Sequence, residues 1–230
     1  QYWRTFGNAF AILEPVKDLQ FRTSMGIDYG NFFKRYMQRT YKSGFLSNTV
    51  SGVNLEQAHS FKWNWTNTAA YKKSIGKSSF DLLAGMEMFR QSDISFNAYT
   101  SGENAFTVET PAYMWPGVST GKAQVGGGQT GYSLLSYFGK ANYVYDDKYL
   151  ASVTIRHDGS SRFGKNNRFG TFPALSVGWR ISQEDFMDNA KDIVSDLKLR
   201  AGWGQTGNQE IDNYATYTTF VPDYGVADPT

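Results

Sequence analysis

Apolar residues recur at every second position through most of this chain, and this constrains the fold more than any other feature. In "FKWNWTNTAAYK" the residues Phe61, Trp63, Trp65, Asn67, Ala69 and Tyr71 form one set, and Lys62, Asn64, Thr66, Thr68, Ala70 and Lys72 the other. Successive side chains of a strand point to opposite sides, so an extended backbone sorts the two sets onto two faces. "LQFRTSMGIDY" does the same, with Phe21, Thr23, Met25, Ile27 and Tyr29 against Gln20, Arg22, Ser24, Gly26 and Asp28. The segments "KYLASVTIRHD", "TFPALSVGWRI" and "LKLRAGWG" repeat the pattern. Helical periodicity is nearly absent, so the chain reads as all-β.

Three less regular strands are expected near residues 5–13, 80–90 and 134–145, which brings the number to about eight. "EPVKD", "SIGKS" and "YDDK" read as tight hairpin turns. "VSGVNLEQAHS" reads as the end of a loop of about thirty residues, and residues 91–131 as a loop of about forty. Short turns at one end of the strands and long loops at the other are the arrangement of an outer-membrane barrel.

Composition narrows the choice. The longest apolar runs are as short as "AFAIL", which excludes a membrane-spanning helix but not a spanning strand of about ten residues. Aromatics make up 17% of the 230 residues. Tyr29, Tyr71, Tyr143, Tyr145, Tyr149, Trp179 and Trp203 fall near strand ends, as interfacial girdles require. A net charge of +2 gives no reason to expect nucleic acid. The lack of cysteine rules out disulfides and thiolate metal sites. Three architectures share the alternation: a soluble β-sandwich, a closed eight-stranded barrel, and part of a larger barrel. Lys, Arg, Ser, Thr, Gly and Asn mixed along the polar face suit a wet lumen. "QYWRTFGNAF" reads as the interior of a strand and "YTTFVPDYGVADPT" as a loop with no closing strand, which favours the larger barrel.

The stretch "YLASVTIRHDGSSRFGKNNRFGTFPALSVGWRISQEDFM" resembles the barrel signature of SusC/RagA-type TonB-dependent outer-membrane transporters. "SDLKLRAGWGQTGNQ" resembles the segment that follows it in that family, and "PVKDLQFRTSMGIDY" and "YFGKANYVYDDKYL" look like its hairpins. The resemblance implies an antiparallel transmembrane β-barrel of about 22 strands with a plug in its lumen. Residues 1–230 would be a central-to-late part of the barrel domain, without the plug or the terminal strand. It also implies a SusD-like surface lipoprotein, the TonB–ExbB–ExbD energy-transducing complex and outer-membrane lipid as partners. The location implied is the outer membrane of a Gram-negative bacterium.

In a barrel of this phase Arg22, Lys62, Arg156, Arg180, Lys198 and Arg200 should point to the lumen, because a lipid-facing Arg or Lys at the membrane centre costs about 2–4 kcal/mol. They could line the solute path, or simply contact the plug and neighbouring strands. Asp158-Gly159 reads as a turn signal. Arg162, Lys165 and Arg168 then make the following loop basic, able to attract anionic ligands or to pair with acids on nearby loops. In the long loop, Tyr99, Tyr113 and Trp115 could stack on sugar rings, meet a partner lipoprotein, or pack the loop upon itself.

No catalytic constellation is visible. His59 and His157 are the only histidines and form no ligand cluster. Asp146-Asp147 sits in a turn, and the Gly126–Gly128 run lacks the Lys-Ser/Thr ending of a phosphate loop. No cofactor or metal is expected. The function expected is import of oligomeric nutrients, with oligosaccharides ahead and oligopeptides as the alternative. A small eight-stranded barrel acting as an anchor or adhesin, and a soluble sandwich that binds ligands, remain open as structural readings.

Overall fold

The computed structural model describes residues 1–190 and 193–216. Its main body is one eight-stranded antiparallel sheet, built from β1 (Tyr2–Val16), β2 (Leu19–Gln38), β5 (Val50–Ile75), β6 (Ser78–Glu103), β7 (Gln124–Tyr145), β8 (Tyr149–Ser160), β9 (Phe169–Arg180) and β10 (Lys198–Gly204). A two-stranded hairpin, β3 (Tyr41–Ser43) and β4 (Leu46–Asn48), projects from the β2–β5 connection. Each strand of the sheet pairs with its sequence neighbours in the sheet, and β1 and β10 form its two edges. The sheet is therefore open, which sets aside a barrel closed by these eight strands alone.

All eight expected strands are present, and the register is continuous enough to assign every side chain to a face. One row runs Met25–Trp65–Met88–Leu135, and another Tyr71–Leu82–Ala141–Val153–Leu175–Trp203. These rows make an apolar face. It is exposed, with Leu175, Val177 and Trp203 each at least half accessible. In water such a patch would not persist on a monomer. Lipid is the solvent that suits it, and the backbone groups between paired strands are already satisfied by their ladders, as a bilayer demands.

The tight turns fall where expected. Lys17-Asp18, Gly76-Lys77 and Asp146–Lys148 close β1–β2, β5–β6 and β7–β8. Asp18, Asp146 and Asp147 take positive φ, which Asp tolerates through local hydrogen bonding. Asp18 also accepts Lys73 Nζ at 2.7 Å, which holds its carboxyl below the ordinary carboxylate value. The same end carries a longer link from β9 to β10, with short 3-10 turns at Ile181–Gln183 and Asp185–Ala190.

The long loops are shorter than the sequence suggests. "VSGVNLEQAHS" belongs to β5, and residues 91–103 and 124–131 extend β6 and β7, leaving residues 104–123 as the loop. β5 and β6 have 26 residues each, roughly 85 Å at about 3.3 Å per residue. Spanning a bilayer takes only about 9–11 residues, so much of each strand stands outside it. There both faces meet water, and the two-residue rhythm fades. Residues 104–123 fold onto the apolar side of this outer portion. Val53, Ala105, Phe106 and Met114 form a small buried core there, with Met37 against it. Asp158-Gly159 is likewise strand rather than turn; the turn is residues 161–168. A Cβ on Gly159 would come 2.5 Å from the Phe169 ring, so a side chain there would displace that ring. The segment "YTTFVPDYGVADPT" lies outside the described residues.

Candidate functional site

The face opposite the apolar rows is built from the other half of each alternation. Arg22, Lys62, Arg156, Arg180, Lys198 and Arg200 all lie on it, as the registers Arg22↔Thr68, Asp28↔Lys62, Phe138↔Arg156 and Lys198↔Arg180 require. It is laced with ion pairs. Arg4 Nε donates to Asp28 at 2.7 Å, and Lys72 lies 3.7 Å from Asp81. Arg156 donates to Asp158 at 2.7 Å and reaches Glu87 at 3.4 Å, with its guanidinium over Phe138. Arg22 lies over the Phe10 ring at 4.7 Å. These pairs are exposed, so each contributes little to stability. Their consequence is a wet, ionic surface.

The charge is uneven. Lys198 and Arg180 sit directly opposite one another on β10 and β9, with Arg200 two positions further along β10. Like charges in direct register repel. Asp147, at 3.8 Å from Arg180, is the acidic neighbour. β1 departs from the pattern in another way, since Phe6, Phe10 and Ile12 join Arg4 on the polar face and are exposed there.

The expected loop contacts do not converge. Tyr99 is in β6 on the polar face, where its hydroxyl donates to Ser101 at 2.6 Å. Tyr113 and Trp115 are in the loop that covers the other side of the sheet. Trp115 lies beneath the Arg35 guanidinium at 4.6 Å, while Tyr113 is exposed.

Arg162 and Arg168 occupy the β8–β9 loop but differ in role. Arg162 is half-buried, with Nε on Asn213 at 2.8 Å, a terminal nitrogen on the Gln209 carbonyl at 3.2 Å, and its guanidinium 3.9 Å from the Tyr132 ring centre. Arg168 is exposed, and its Nε reaches the Phe163 carbonyl at 3.4 Å.

These contacts reveal a strap that the periodicity does not announce. After β10 the chain turns back across the polar face. Gln205 N donates to the Pro173 carbonyl at 3.0 Å, Gly207 passes beside the Phe172 ring, and Asn213 Nδ2 donates to Thr130 on β7 at 2.9 Å. A cavity of about 290 Å³ lies between strap, loop and sheet. Its walls include Arg156, Asp158, Phe163, Arg168, Phe172 and Asn208. The parity of β7, β8 and β9 places Ser136, Arg156 and Phe172 on one face. The strap's arrival could not be found from local sequence.

Comparison with known proteins agrees with this geometry. A family described as "TonB dependent receptor-like, beta-barrel" matches residues 4–229. The chain is 35% identical to TonB-dependent receptor SusC of Bacteroides thetaiotaomicron, over 90% of this chain and 20% of that protein. It is 30% identical to TonB-dependent receptor P3 of Formosa agariphila, over 95% of this chain and 21% of that protein. Among solved structures it superposes on the RagAB peptide importer in its closed-closed state with a TM-score of 0.80 at 27% identity, covering 93% of this chain and 23% of that one. The chain thus spans about a fifth of the length of the curated relatives it matches. An open sheet with an apolar and an ionic face fits a sector of a barrel wall in the outer membrane. The chain belongs to the TonB-dependent receptor family, as part of its outer-membrane β-barrel.

Proposed function

We propose that this chain forms a sector of the wall of an outer-membrane importer of oligomeric nutrients, and that its solutes are oligosaccharides. The observation that carries the reading is the division of one continuous sheet into a lipid-compatible face and an ionic face. A wall that only anchored would not need charges and aromatics distributed along its inner surface. In this reading Arg22, Lys62, Arg156, Arg180, Lys198 and Arg200 line the lumen or meet a plug within it. The exposed Phe6, Phe10 and Ile12 of β1 and the cation cluster at Arg180, Lys198 and Arg200 are suited to such a plug. A SusD-like surface lipoprotein would present ligand above the strands that outrun the membrane, and the TonB–ExbB–ExbD complex would supply energy.

Oligopeptides are the second reading, favoured by the likeness to the RagAB peptide importer. Uptake in a strain lacking the gene separates the two. Loss of growth on particular oligosaccharides, restored by the gene, supports the first reading. Loss on oligopeptides alone transfers the proposal to peptides, and normal growth on both overturns import.

A further inference from the structure

Two of the segments that carry the family resemblance meet in space. "DGSSRFGKNNRFGTF" supplies β8, β9 and the loop between them, and "GQTGNQ" supplies the strap that crosses back over them. The space they enclose, at about 290 Å³, sits at the low end for small-ligand clefts, which begin near 300 Å³. It would take one ring-sized group of a longer solute and not the whole of it.

We propose that this cavity is a subsite for one pyranose ring of an oligosaccharide. The proposal deepens the importer reading and rests on it. Phe172 and Phe163 offer apolar ring surface for the carbon face of a sugar. Around them stand planar polar groups of both senses. Asp158 uses one carboxylate oxygen on Arg156, and its other oxygen remains an acceptor. Asn208 accepts from the Glu210 backbone through its oxygen, and its amide nitrogen remains a donor. Arg168 uses Nε on the Phe163 carbonyl, and among the described residues its terminal nitrogens take no hydrogen bond. A sugar hydroxyl both donates and accepts, so neighbouring hydroxyls match a wall that alternates the two.

A peptide suits the cavity less well. Peptides are commonly held by adding a strand to an open sheet edge. At the cavity β8 is paired on both sides, to Leu134, Leu135 and Ser136 of β7 and to Phe169 and Gly170 of β9. The free edge there is the short stretch 169–173 of β9 beyond the end of β10, and the strap already takes its Pro173 carbonyl through Gln205 N.

The geometry is built, not incidental. The Phe172 ring is set by two close approaches, since a Cβ on Gly170 would come 2.8 Å from it and one on Gly207 would come 2.2 Å from it. Only glycine lets the strap lie that close, so sheet and strap together define the cavity.

The test uses the full-length transporter purified from the outer membrane in detergent. Calorimetry is run against a panel of oligosaccharides and a panel of oligopeptides, with Phe172→Ala, Asp158→Asn and Asn208→Ala alongside the parent. Retained heat-modifiable mobility shows that each variant is folded. Asn208 is exposed on the strap, so its truncation removes a contact without touching a strand. The expected result is that the parent binds an oligosaccharide and that each variant binds it about tenfold or more weakly, the effect of losing one hydrogen bond or ring contact. Parent-like affinity in all three variants overturns the subsite and leaves the importer reading standing. A parent that binds peptides and no oligosaccharide overturns the sugar assignment. A parent that binds neither panel overturns subsite and importer reading together.

Discussion

The Arg162 guanidinium bridges two parts of the chain, bonded through Nε to Asn213 at 2.8 Å and stacked over Tyr132 at 3.9 Å. Tyr132 belongs to β7 and Asn213 to the strap, 81 positions later in the same chain. One side chain of the β8–β9 loop thus ties strap and sheet together, beside the direct bonds of Gln205 to Pro173 and of Asn213 to Thr130. Replacing it with alanine removes a stacked cation, a side-chain bond and a bond to the Gln209 carbonyl. A loss of about 1–3 kcal/mol of local stability is expected. Arg162→Ala should make amide exchange in residues 205–213 at least tenfold faster while the strands keep their protection. Arg162→Lys should not restore it, because an ammonium cannot reproduce the planar fork.

The two faces of β9 give a sharper contrast between neighbouring positions. Val177 lies on the apolar face, in the row Ala151–Val177–Ala201, and is 60% exposed. Ser176 lies on the ionic face beside it. Val177→Lys places a charge against lipid at about 2–4 kcal/mol, whereas Ser176→Lys adds one more cation to a wet surface. Folding titrations of the full-length barrel into lipid vesicles should show the first loss and only a small change for the second. A larger loss for Ser176→Lys than for Val177→Lys would mean that the faces are assigned the wrong way round.

What the sequence disclosed depends on how many solvents each segment meets. Within the bilayer the two faces of a strand see lipid and water, so Phe21 to Tyr29 and Phe61 to Tyr71 alternate visibly. Beyond it, both faces of residues 50–60 and 91–103 see water, or a local cap. Selection for apolarity on one side lapses there, and the segments look like loops although they are strands. Asp158-Gly159, a pair suited to a turn, serves a strand because both residues are paired to β7 and to β9, a long-range outcome that the dipeptide does not announce. The cation face was legible from parity alone. The strap was not, because its contacts join residues far apart in the chain and follow no period. Nor did composition tell Tyr99 from Trp115, which lie on opposite sides of the sheet.

At the end of the tight turns, the β9–β10 link is pinned by Glu184. Its carboxylate accepts Tyr149 Oη at 2.7 Å and Trp179 Nε1 at 2.9 Å, and lies 3.1 Å from Lys148 Nζ. The tyrosine hydroxyl, then the indole N–H and then the ammonium hold this carboxyl below its ordinary value of 4.5. Lys148 is raised in turn, through hydrogen bonds to Asp185 and Glu184. A depressed carboxyl stabilises the fold above its unfolded pKa, and that contribution is lost as pH falls through the folded value. A raised lysine stabilises below its unfolded pKa and loses this as pH rises past the folded value. The link is therefore firmest between these limits. Trp179 fluorescence should change as pH drops below about 4.5, with full recovery on return. In Glu184→Gln, which carries no titrating carboxyl at this position, that low-pH change should be absent.

Met114 is fully buried beside Val53 and Phe106, in a core that lies above the membrane-level rows. Lipid does not cover this region, so residues 104–123 must supply the apolar surface that hides Val53 and Met37. Truncating a buried methionine costs about 2–5 kcal/mol, the lost transfer energy plus the cavity left behind. The small core has few other members to absorb that loss, so the loop should open locally. The rest of the sheet gains its stability from ladders and lipid, and it should be indifferent. Met114→Ala is expected to leave the heat-modifiable mobility of the full-length barrel unchanged while making trypsin cleave at Lys122, inside the loop, much faster than in the parent. Unchanged cleavage would mean that the loop is held by contacts other than this core. The hydrogen bond from Thr100 to Ser119, 3.0 Å long, would then be the next contact to remove.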